Sequence, residues 1–515
     1  MQKSPCVYLV GAGPGDPGLI SVRGQRHLES ADVVVYDHQV HARLLRCARA
    51  EAEKIDVGAA APRAMDQDAI SLLLVEKARE GKTVVRLKWG DAFVFDSGGK
   101  EALFLHEQQI PFEVVPGIPA TIGVPAYAGI PITYPGGGDT VTLVRGNEAE
   151  TDEPPRVDWQ RLAGIDGTLV CHAGAKQVEV IVGQLLANGR SPDESAALIY
   201  DGTTPAQETL VGTLGTIVAR ARASSPAMLV IGQVVGLREH LRWFDDRPLF
   251  GRRIVVTRSR EQAGELVDML EERGAEAIQA PTIRIAAPDD PQDIAALERA
   301  CREAGTYTWI VFTSANGVDA FMQRLLDARD IRDLSGVRLC AIGPSTAQRL
   351  TRYGLRVDLT PAEARSEAVV DALNASGSLK GSRFLLPRAD IAREVLAELL
   401  RDAGADVDEV IAYRTLLAGG ERDGDHDVYR MLLDRQIDAV TFTSASTVNN
   451  FATIYGEEQA ADLLSTTVVA SIGPVTAEAA QQLGIKTTVM PERYTIPDLV
   501  DALVLHFTAQ PAVPG

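Results

Sequence analysis

Arginine and hydroxyl side chains recur in this chain at a fixed spacing, and together they suit the binding of a polyanion. Arg258 follows the short β-branched run Ile254-Val255-Val256-Thr257, and Arg388 follows the apolar run Phe384-Leu385-Leu386-Pro387. Thr313-Ser314-Ala315-Asn316 and Thr443-Ser444-Ala445-Ser446 stand at the same separation, as do Gly343-Pro344-Ser345-Thr346 and Gly473-Pro474-Val475-Thr476. Each of the four segments lies between a strand-like run and a stretch of helical periodicity. Hydroxyl residues there cap the helix, and its free N–H groups form an anion site. Four such ends converging on one cleft with Arg258 and Arg388 would hold a polycarboxylate. Taken singly, the same hydroxyls are helix caps and the same arginines are solvated loop charges.

A second candidate lies at Gly11-Ala12-Gly13-Pro14-Gly15-Asp16-Pro17. A dinucleotide fingerprint would need glycine where Asp16 stands, and Pro14 and Pro17 would disturb a helix starting directly after the strand. Asp37, after Ala31-Asp32-Val33-Val34-Val35-Tyr36, sits where a ribose-binding acid would, which keeps a nicotinamide enzyme open as an alternative.

The elements that must position these groups follow from periodicity. From Gly251 onward the sequence aligns with itself without a gap at an offset of 130, pairing GRRIVVTRS with GSRFLLPRA, FTSA at Phe312 with FTSA at Phe442, and IGP at Ile342 with IGP at Ile472. Each copy alternates short β-branched runs with helical segments, which predicts parallel βα units in two similar lobes facing a cleft. Residues 1–245 lack this repeat, but CVYLVGAG, ADVVVYD, TVVRLKWGD and FEVVPG alternate with helical stretches. A second βα series, TVTLVRG, GTLVCHAG, AALIYDG and MLVIGQVV, follows the turn-rich IPITYPGGGD. The expected fold class is therefore α/β throughout. An N-terminal pair of subdomains (about 1–135 and 138–245, hinged near Gly136 to Gly138) precedes a two-lobed pseudo-repeat with parallel sheets from 251 to 515, the linker lying at 246–250 within Trp243 to Phe250.

Composition excludes several classes. The 515 residues carry a formal net charge of −19, which disfavours attraction to nucleic acid or to an anionic membrane surface. Hydrophobic residues at 45% and charged residues at 23% read as packed globular domains. No apolar run approaches the roughly 20 residues of a membrane span, and the start MQKSPCVYLVGAG lacks the features of a signal peptide, so a cytoplasmic location is expected. Cys6, Cys47, Cys171, Cys301 and Cys340 form no CxxC pair and meet no histidine cluster, so neither a metal site nor a disulfide framework is expected.

The ordered set GAGPGDPGLISVRG, VVVYD, GDAFVF, VVPGIPA, PAYAGIPIT and DGTTPAQET resembles the uroporphyrinogen-III C-methyltransferases of the tetrapyrrole methylase family, over nearly all of residues 5–240. That resemblance implies S-adenosylmethionine folded between the two subdomains and touched by Pro14, Gly90, Asp91, Val94, Ala120 and Ala197. It also implies methyl transfer to an electron-rich pyrrole carbon, and a homodimer through this half. The sequence departs from the family pattern at several positions. Ser97 stands where the family carries its active-site arginine and Lys100 where it carries glutamate. Trp89 replaces a small glycine, His38 an arginine, Tyr134-Pro135 a Thr-His pair, and His172-Ala173-Gly174 a Tyr-Met-Gly. Serine cannot fork onto a carboxylate as arginine does, so Arg145, Lys88 and Lys100 are the candidates to compensate.

VTRS, FTSANGV, IGPSTA, VIAYRT, FTSAS and SIGPVTAEAAQQLG resemble uroporphyrinogen-III synthase across residues 252–505. The resemblance implies closure of linear hydroxymethylbilane with inversion of its last ring, with neither metal nor cofactor. It implies interleaved lobes, about 251–283 with 417–510 and about 284–416, and a Tyr413 near their crossover that assists departure of the hydroxyl. Substrate contacts fall to Arg258, Thr313, Ser314, Arg388, Thr443, Ser444 and Thr476. Three readings stay open: a bifunctional tetrapyrrole enzyme making uroporphyrinogen III and methylating it toward sirohydrochlorin precursors; a synthase carrying a degenerate or substrate-altered methylase half; and a non-enzymatic two-lobed ligand sensor.

Overall fold

The computed structural model describes residues 6–58, 65–137, 139–146, 155–174, 176–222, 226–362, 366–377, 379–390, 395–417 and 427–509. Four sheets organise these residues. The first is formed by β1 (Val7–Gly11), β2 (Val33–Tyr36), β3 (Glu53–Asp56), β4 (Val84–Lys88) and β5 (Phe112–Val115), all parallel in the order β3-β2-β4-β1-β5, with the valine-bearing β1, β2 and β4 buried at its centre and the more exposed β3 and β5 at its edges. Gly136 follows this unit, while Gly138 of the expected hinge lies outside the described residues.

The second sheet is mixed in strand direction. It contains β6 (Val141–Arg145), β7 (Thr168–Ala173), β8 (Ser195–Tyr200), β9 (Glu208–Thr213) and β10 (Ala227–Ile231), in the order β6-β7-β10-β8-β9. Only β6 and β7 pair parallel; β7–β10, β10–β8 and β8–β9 are antiparallel. The physical reason is chain length, because residues 201–207 between β8 and β9 are too few for a crossover and fold into a hairpin connection instead.

The strands of the second half are β11 (Arg253–Val256), β12 (Glu276–Gln279), β13 (Ile283–Ala286), β14 (Trp309–Phe312), β15 (Arg338–Ala341), β16 (Arg383–Ala389), β17 (Asp406–Leu417), β18 (Ala439–Phe442) and β19 (Val468–Ser471). The repeat survives in them: adding 130 to the starts of β11, β12, β14 and β15 gives those of β16, β17, β18 and β19. The copies exchange halves, however. One sheet runs β12-β11-β18-β19, the other β13-β17-β16-β14-β15, so each holds two repeat strands from either copy. The first is parallel throughout, whereas β13 joins the second antiparallel to β17, a departure from an all-parallel lobe.

Helix starts explain the hydroxyl motifs in part. Ser314 accepts from Gly317 N at 3.0 Å to cap the Ala315–Ala328 helix, and Ser444 forms a capping box with Thr447 at the Ala445–Tyr455 helix. At the Pro344–Arg352 and Pro474–Gln482 helices the expectation of hydroxyl caps is corrected. Gly343 and Gly473 are the N-caps, proline takes the first helical position, and Thr346 and Thr476 are packed inward at 2% and 4% exposure.

The segment read as a linker is packed. Leu249 is fully buried in the core around β11 and the Arg260–Glu272 helix, and Phe244 stacks edgewise on Phe250 while touching Tyr127. Arg43 of the N-terminal half forms ion pairs with Asp268 and Glu271 on the same helix. The two halves thus meet through an aromatic cluster and an ion-pair fork.

Candidate functional site

In the N-terminal half, the loops after β1, β4 and β5 meet backbone to backbone at the carboxyl edge of the sheet. Gly13 and Gly90 exchange hydrogen bonds, Gly13 N to Gly90 O at 3.1 Å and Gly90 N to Gly13 O at 2.8 Å. A Cβ on Gly11 would lie 2.5 Å from Gly117 N, and one on Gly117 would lie 2.3 Å from Gly90 O, so only glycine permits this junction. Gly90 itself sits at φ +70° with only Ala120 N near its open side. Pro14 is buried and packs against Gly123 of the Ala120–Tyr127 helix. Ala120 and Ala197 belong to one apolar cluster between the two subdomains, and Val94 is half-buried at the edge of the Gly90 loop. Five of the six expected cofactor contacts therefore come from one loop junction, and Ala197 faces them from β8.

Asp91 turns its carboxylate onto backbone N–H groups. Its Oδ1 accepts from Phe93 N at 2.8 Å and Val94 N at 3.0 Å, and its Oδ2 accepts from Gly117 N at 2.9 Å. The carboxylate is a staple for the loops. Trp89 packs against the cluster of Ala120 and Ala197, and its indole stacks on His172 of β7 with centroids 5.8 Å apart. Two departures from the family pattern thus touch each other across the subdomains. Thr121, beside Ala120 and 3% exposed, leaves its Oγ1 without a hydrogen-bond partner. An orphaned buried hydroxyl in the first turn of the helix whose Ala120 N approaches Gly90 fits a cofactor that supplies the missing bond. Thr121 was missed by sequence reasoning; its only signal is adjacency to Ala120.

The substituted positions are tied into a buried charge network. Arg86, Lys88 and Glu101 are 2%, 1% and 0% exposed. Lys88 Nζ lies 3.2 Å from Glu101, 3.0 Å from Asp96 and 3.0 Å from the Ser97 hydroxyl, while Arg86 pairs with Asp37 and, at 3.3 Å, with Glu101. Two expectations fall here. Lys88 faces its own carboxylates and not a substrate, so it cannot replace the missing arginine. Asp37 is engaged by Arg86 and by Trp89 N at 3.0 Å, which removes it as a ribose acid. Lys100 and Arg145 are exposed.

Burial opposes ionisation of Asp37 and of Glu101, yet in each case Arg86 and Lys88 outweigh it and hold the carboxyl below its usual range. Asp96 goes the other way, burial dominating and raising it. A lowered folded-state value gives stability that is present above the unfolded value of about 4 and lost as pH falls. Asp96 opposes this, because its raised value favours folding on the acid side. Two lowered groups against one raised one predict that amide protection in β4 holds at neutral pH and declines below about pH 4, read by hydrogen exchange at Val84–Lys88. Protection unchanged down to pH 3 would contradict this.

In the second half, parallel pairing sets the Arg260–Glu272, Ala445–Tyr455 and Pro474–Gln482 helices at the carboxyl edge of one sheet and the Ala315–Ala328 and Pro344–Arg352 helices at that of the other. The edges meet where Gln262, on the first of these helices, hydrogen-bonds Asn316 on the fourth. Gln262 also accepts from Arg258 Nε at 3.0 Å. Tyr413, 7% exposed near the end of β17, lies 3.0 Å from the Ser314 hydroxyl and lines one cavity with Asn316. Burial pushes its phenol above the ordinary tyrosine value, although the Ser314 and Asn316 contacts pull against it. A cavity of about 510 Å³ opens beside it, bounded by Ile285, Asn316, Asp319, Ala412 and Tyr413 among others.

The structure therefore gathers Arg258, Ser314 and Tyr413. Thr313 and Thr443 are half-buried at their strand ends, Ser444 is engaged in its capping box and with Ser446 at 2.9 Å, and Thr476 is buried at its helix start. Arg388 differs from its repeat partner, standing 3.1 Å from Glu409, which Arg401 also holds at 2.8 Å. Gln262 was not singled out from the sequence; it lies one turn beyond Arg258, a position helical periodicity alone does not mark. Among the described residues no group of three or more His, Cys, Asp or Glu side chains is placed to hold a metal ion, and no helix is long and apolar enough to cross a membrane.

Fold and sites define a class: two joined α/β units, one with a glycine-built loop junction beside the contact of its subdomains and one whose two lobes meet through Arg258, Gln262 and Asn316. Residues 6–218 match the tetrapyrrole (corrin/porphyrin) methylases and residues 264–501 match uroporphyrinogen-III synthase HemD. The "Porphyrin biosynthesis protein HemD" of Ruminiclostridium josui is 36% identical over 505 residues, 97% of this chain and 97% of that protein. The S-adenosyl-L-methionine-dependent uroporphyrinogen III methyltransferase of Methanosarcina barkeri is 45% identical over 239 residues, 46% of this chain and 94% of its own length. Among solved structures, the uroporphyrin-III C-methyltransferase of Thermus thermophilus complexed with S-adenosyl homocysteine aligns at 35% identity and a TM-score of 0.39, over 45% of this chain and 99% of that one. The chain belongs to the HemD-type porphyrin biosynthesis proteins, with a tetrapyrrole methylase domain followed by a uroporphyrinogen-III synthase domain.

Proposed function

We propose that the C-terminal half closes hydroxymethylbilane to uroporphyrinogen III and that the N-terminal half methylates this product. The observation that carries the first activity is the meeting of Tyr413, Ser314, Asn316, Gln262 and Arg258 where the two sheet edges face each other. A phenol kept protonated by burial donates its proton to the departing hydroxyl, so that water leaves and the resulting azafulvene is attacked by a pyrrole carbon. Arg258 binds one substrate carboxylate, and helix starts with Thr313, Ser314, Thr443, Ser444 and Thr476 receive others. Arg388 remains a proposed contact that must first exchange Glu409 for substrate.

For methyl transfer, S-adenosylmethionine supplies an electrophilic methyl group when bound. Pro14, Gly90, Val94, Ala120 and Ala197 bound its cleft by virtue of being small or closely packed, Asp91 holds the loops in register, and Thr121 contributes the unpaired hydroxyl. The departures at Ser97 and Trp89 favour a second reading, in which this half acts on an altered substrate or serves as a scaffold. Purified protein given S-adenosylmethionine and uroporphyrinogen III is expected to yield a dimethylated product; no turnover by folded protein leaves the second reading.

The proposed partition is 1–245 for the methylase, with subdomains about 1–135 and 138–245, 246–250 as a short packed connection, and 251–515 for the synthase. Lobes of about 251–283 with 417–510 and about 284–416 are supported by sheet membership. We further propose a cytoplasmic protein that pairs through its methylase half and engages neither nucleic acid nor membrane, in keeping with the net charge of −19.

A further inference from the structure

The Gln262 side chain is held at both ends. Its Oε1 accepts from Arg258 Nε at 3.0 Å, on its own lobe, and its amide meets Asn316 on the other. Asn316 lines the same cavity as Tyr413, whose phenol lies 3.0 Å from the Ser314 hydroxyl at the start of the helix that carries Asn316. The terminal amino groups of Arg258 form no ion pair or hydrogen bond among the described residues, and the residue is half-buried. The guanidinium thus presents an open planar fork, the geometry that receives a carboxylate. Gln262, Asn316 and Tyr413 are each half-buried or buried, so none of these contacts is a solvated surface pairing.

We infer that Gln262 and Asn316 are positioning residues for ring closure: the two amides form a latch across the cleft that couples carboxylate binding at Arg258 to the orientation of the Tyr413 phenol. The inference rests on the reading of Tyr413 as proton donor. A carboxylate seated on the Arg258 fork fixes the guanidinium, the guanidinium fixes the Gln262 amide, and that amide draws Asn316 and the opposite lobe into the position where the phenol faces the leaving hydroxyl. Neither amide touches the reacting atoms. Their contribution is alignment, which is sensitive to displacements of about 1 Å.

The test uses the full-length protein and hydroxymethylbilane. Gln262→Ala and Asn316→Ala are each expected to lower kcat for ring closure roughly 10- to 100-fold with KM changed far less, and to raise the share of the type I isomer that forms by spontaneous closure. Because the pair acts as one unit, the double variant is expected to be no slower than the worse single one. Multiplicative losses in the double variant, or wild-type kcat and isomer ratio in both single variants while Tyr413→Phe is slow, would overturn the latch and leave the proton donor in place. A wild-type rate in Tyr413→Phe as well would instead remove the reading on which the latch rests. A loss that appears only in KM would also overturn it, since it would make the amides plain binding groups.

Discussion

Substituting Tyr413 with phenylalanine is expected to slow closure of hydroxymethylbilane by roughly 10²- to 10⁴-fold while leaving the protein folded, the range associated with loss of a general acid. The ring of Tyr413 belongs to the apolar core on one face of the second lobe, where phenylalanine fills the same space. What is lost is the hydroxyl. Ser314 keeps its capping bond to Gly317 N at 3.0 Å, so the helix start survives. Burial holds the phenol above its ordinary value, which keeps it protonated and able to donate throughout the neutral range. A tyrosine present only as an amphipathic strand residue would give an unchanged rate. Substitutions of Thr443 and Thr476 are expected to weaken closure in the same assay by smaller factors. Unchanged rates in all three variants would withdraw them from the site.

Replacing Glu101 with alanine is expected to destabilise the N-terminal half by about 3–5 kcal/mol, the usual cost of stripping one partner from a buried ionic cluster. Glu101 is fully buried and contacts both Arg86 and Lys88, and Gln67 also donates to it at 3.1 Å. Its removal leaves two cations sharing Asp37 and Asp96. Because Asp96 neighbours Ser97 and the glycine loops lie just upstream, S-adenosylhomocysteine binding should weaken along with stability. Denaturant unfolding followed through the N-terminal half measures the first effect and calorimetric titration the second. A loss under 1 kcal/mol would mean that water reaches these charges and that their burial is less complete than the packing indicates.

How far the sequence could be read varies with what each residue encodes. The offset of 130 and the apolar runs located β11, β14, β15, β16, β18 and β19, because period and side-chain type are local properties, whereas β12, β13 and β17 lie outside those runs. Strand direction is not local: AALIYDG reads alike in a parallel or an antiparallel sheet, and only the short connection to β9 marks the reversal. Ser314 and Ser444 were legible as caps. Gly343 and Gly473 were not, since a proline one residue later settles the cap without a hydroxyl. Lys88 read as a substrate ligand because a lysine in a strand carries no sign of which carboxylates will surround it. Asp37, Asp96 and Glu101 come from three separate segments, and their meeting exists only in the fold. The Gln262 and Asn316 contact likewise needs two lobes to be assembled before it has meaning.

The exchange of halves between the repeat copies separates the unit of duplication from the unit of folding. A polypeptide ending at the copy boundary near Gly381 would own β11 and β12 without the strands beside them, and β14 and β15 without β16. Neither ancestral segment now has a complete hydrophobic interior to itself, so stability is a property of the pair. The same topology leaves few covalent bridges between the lobes, because the backbone passes from one sheet to the other between β12 and β13 and returns between β17 and β18. Each ladder of hydrogen bonds is thus closed within one sheet. A flexible four-ring substrate of the proposed reaction would therefore meet two bodies, each with a buried interior of its own.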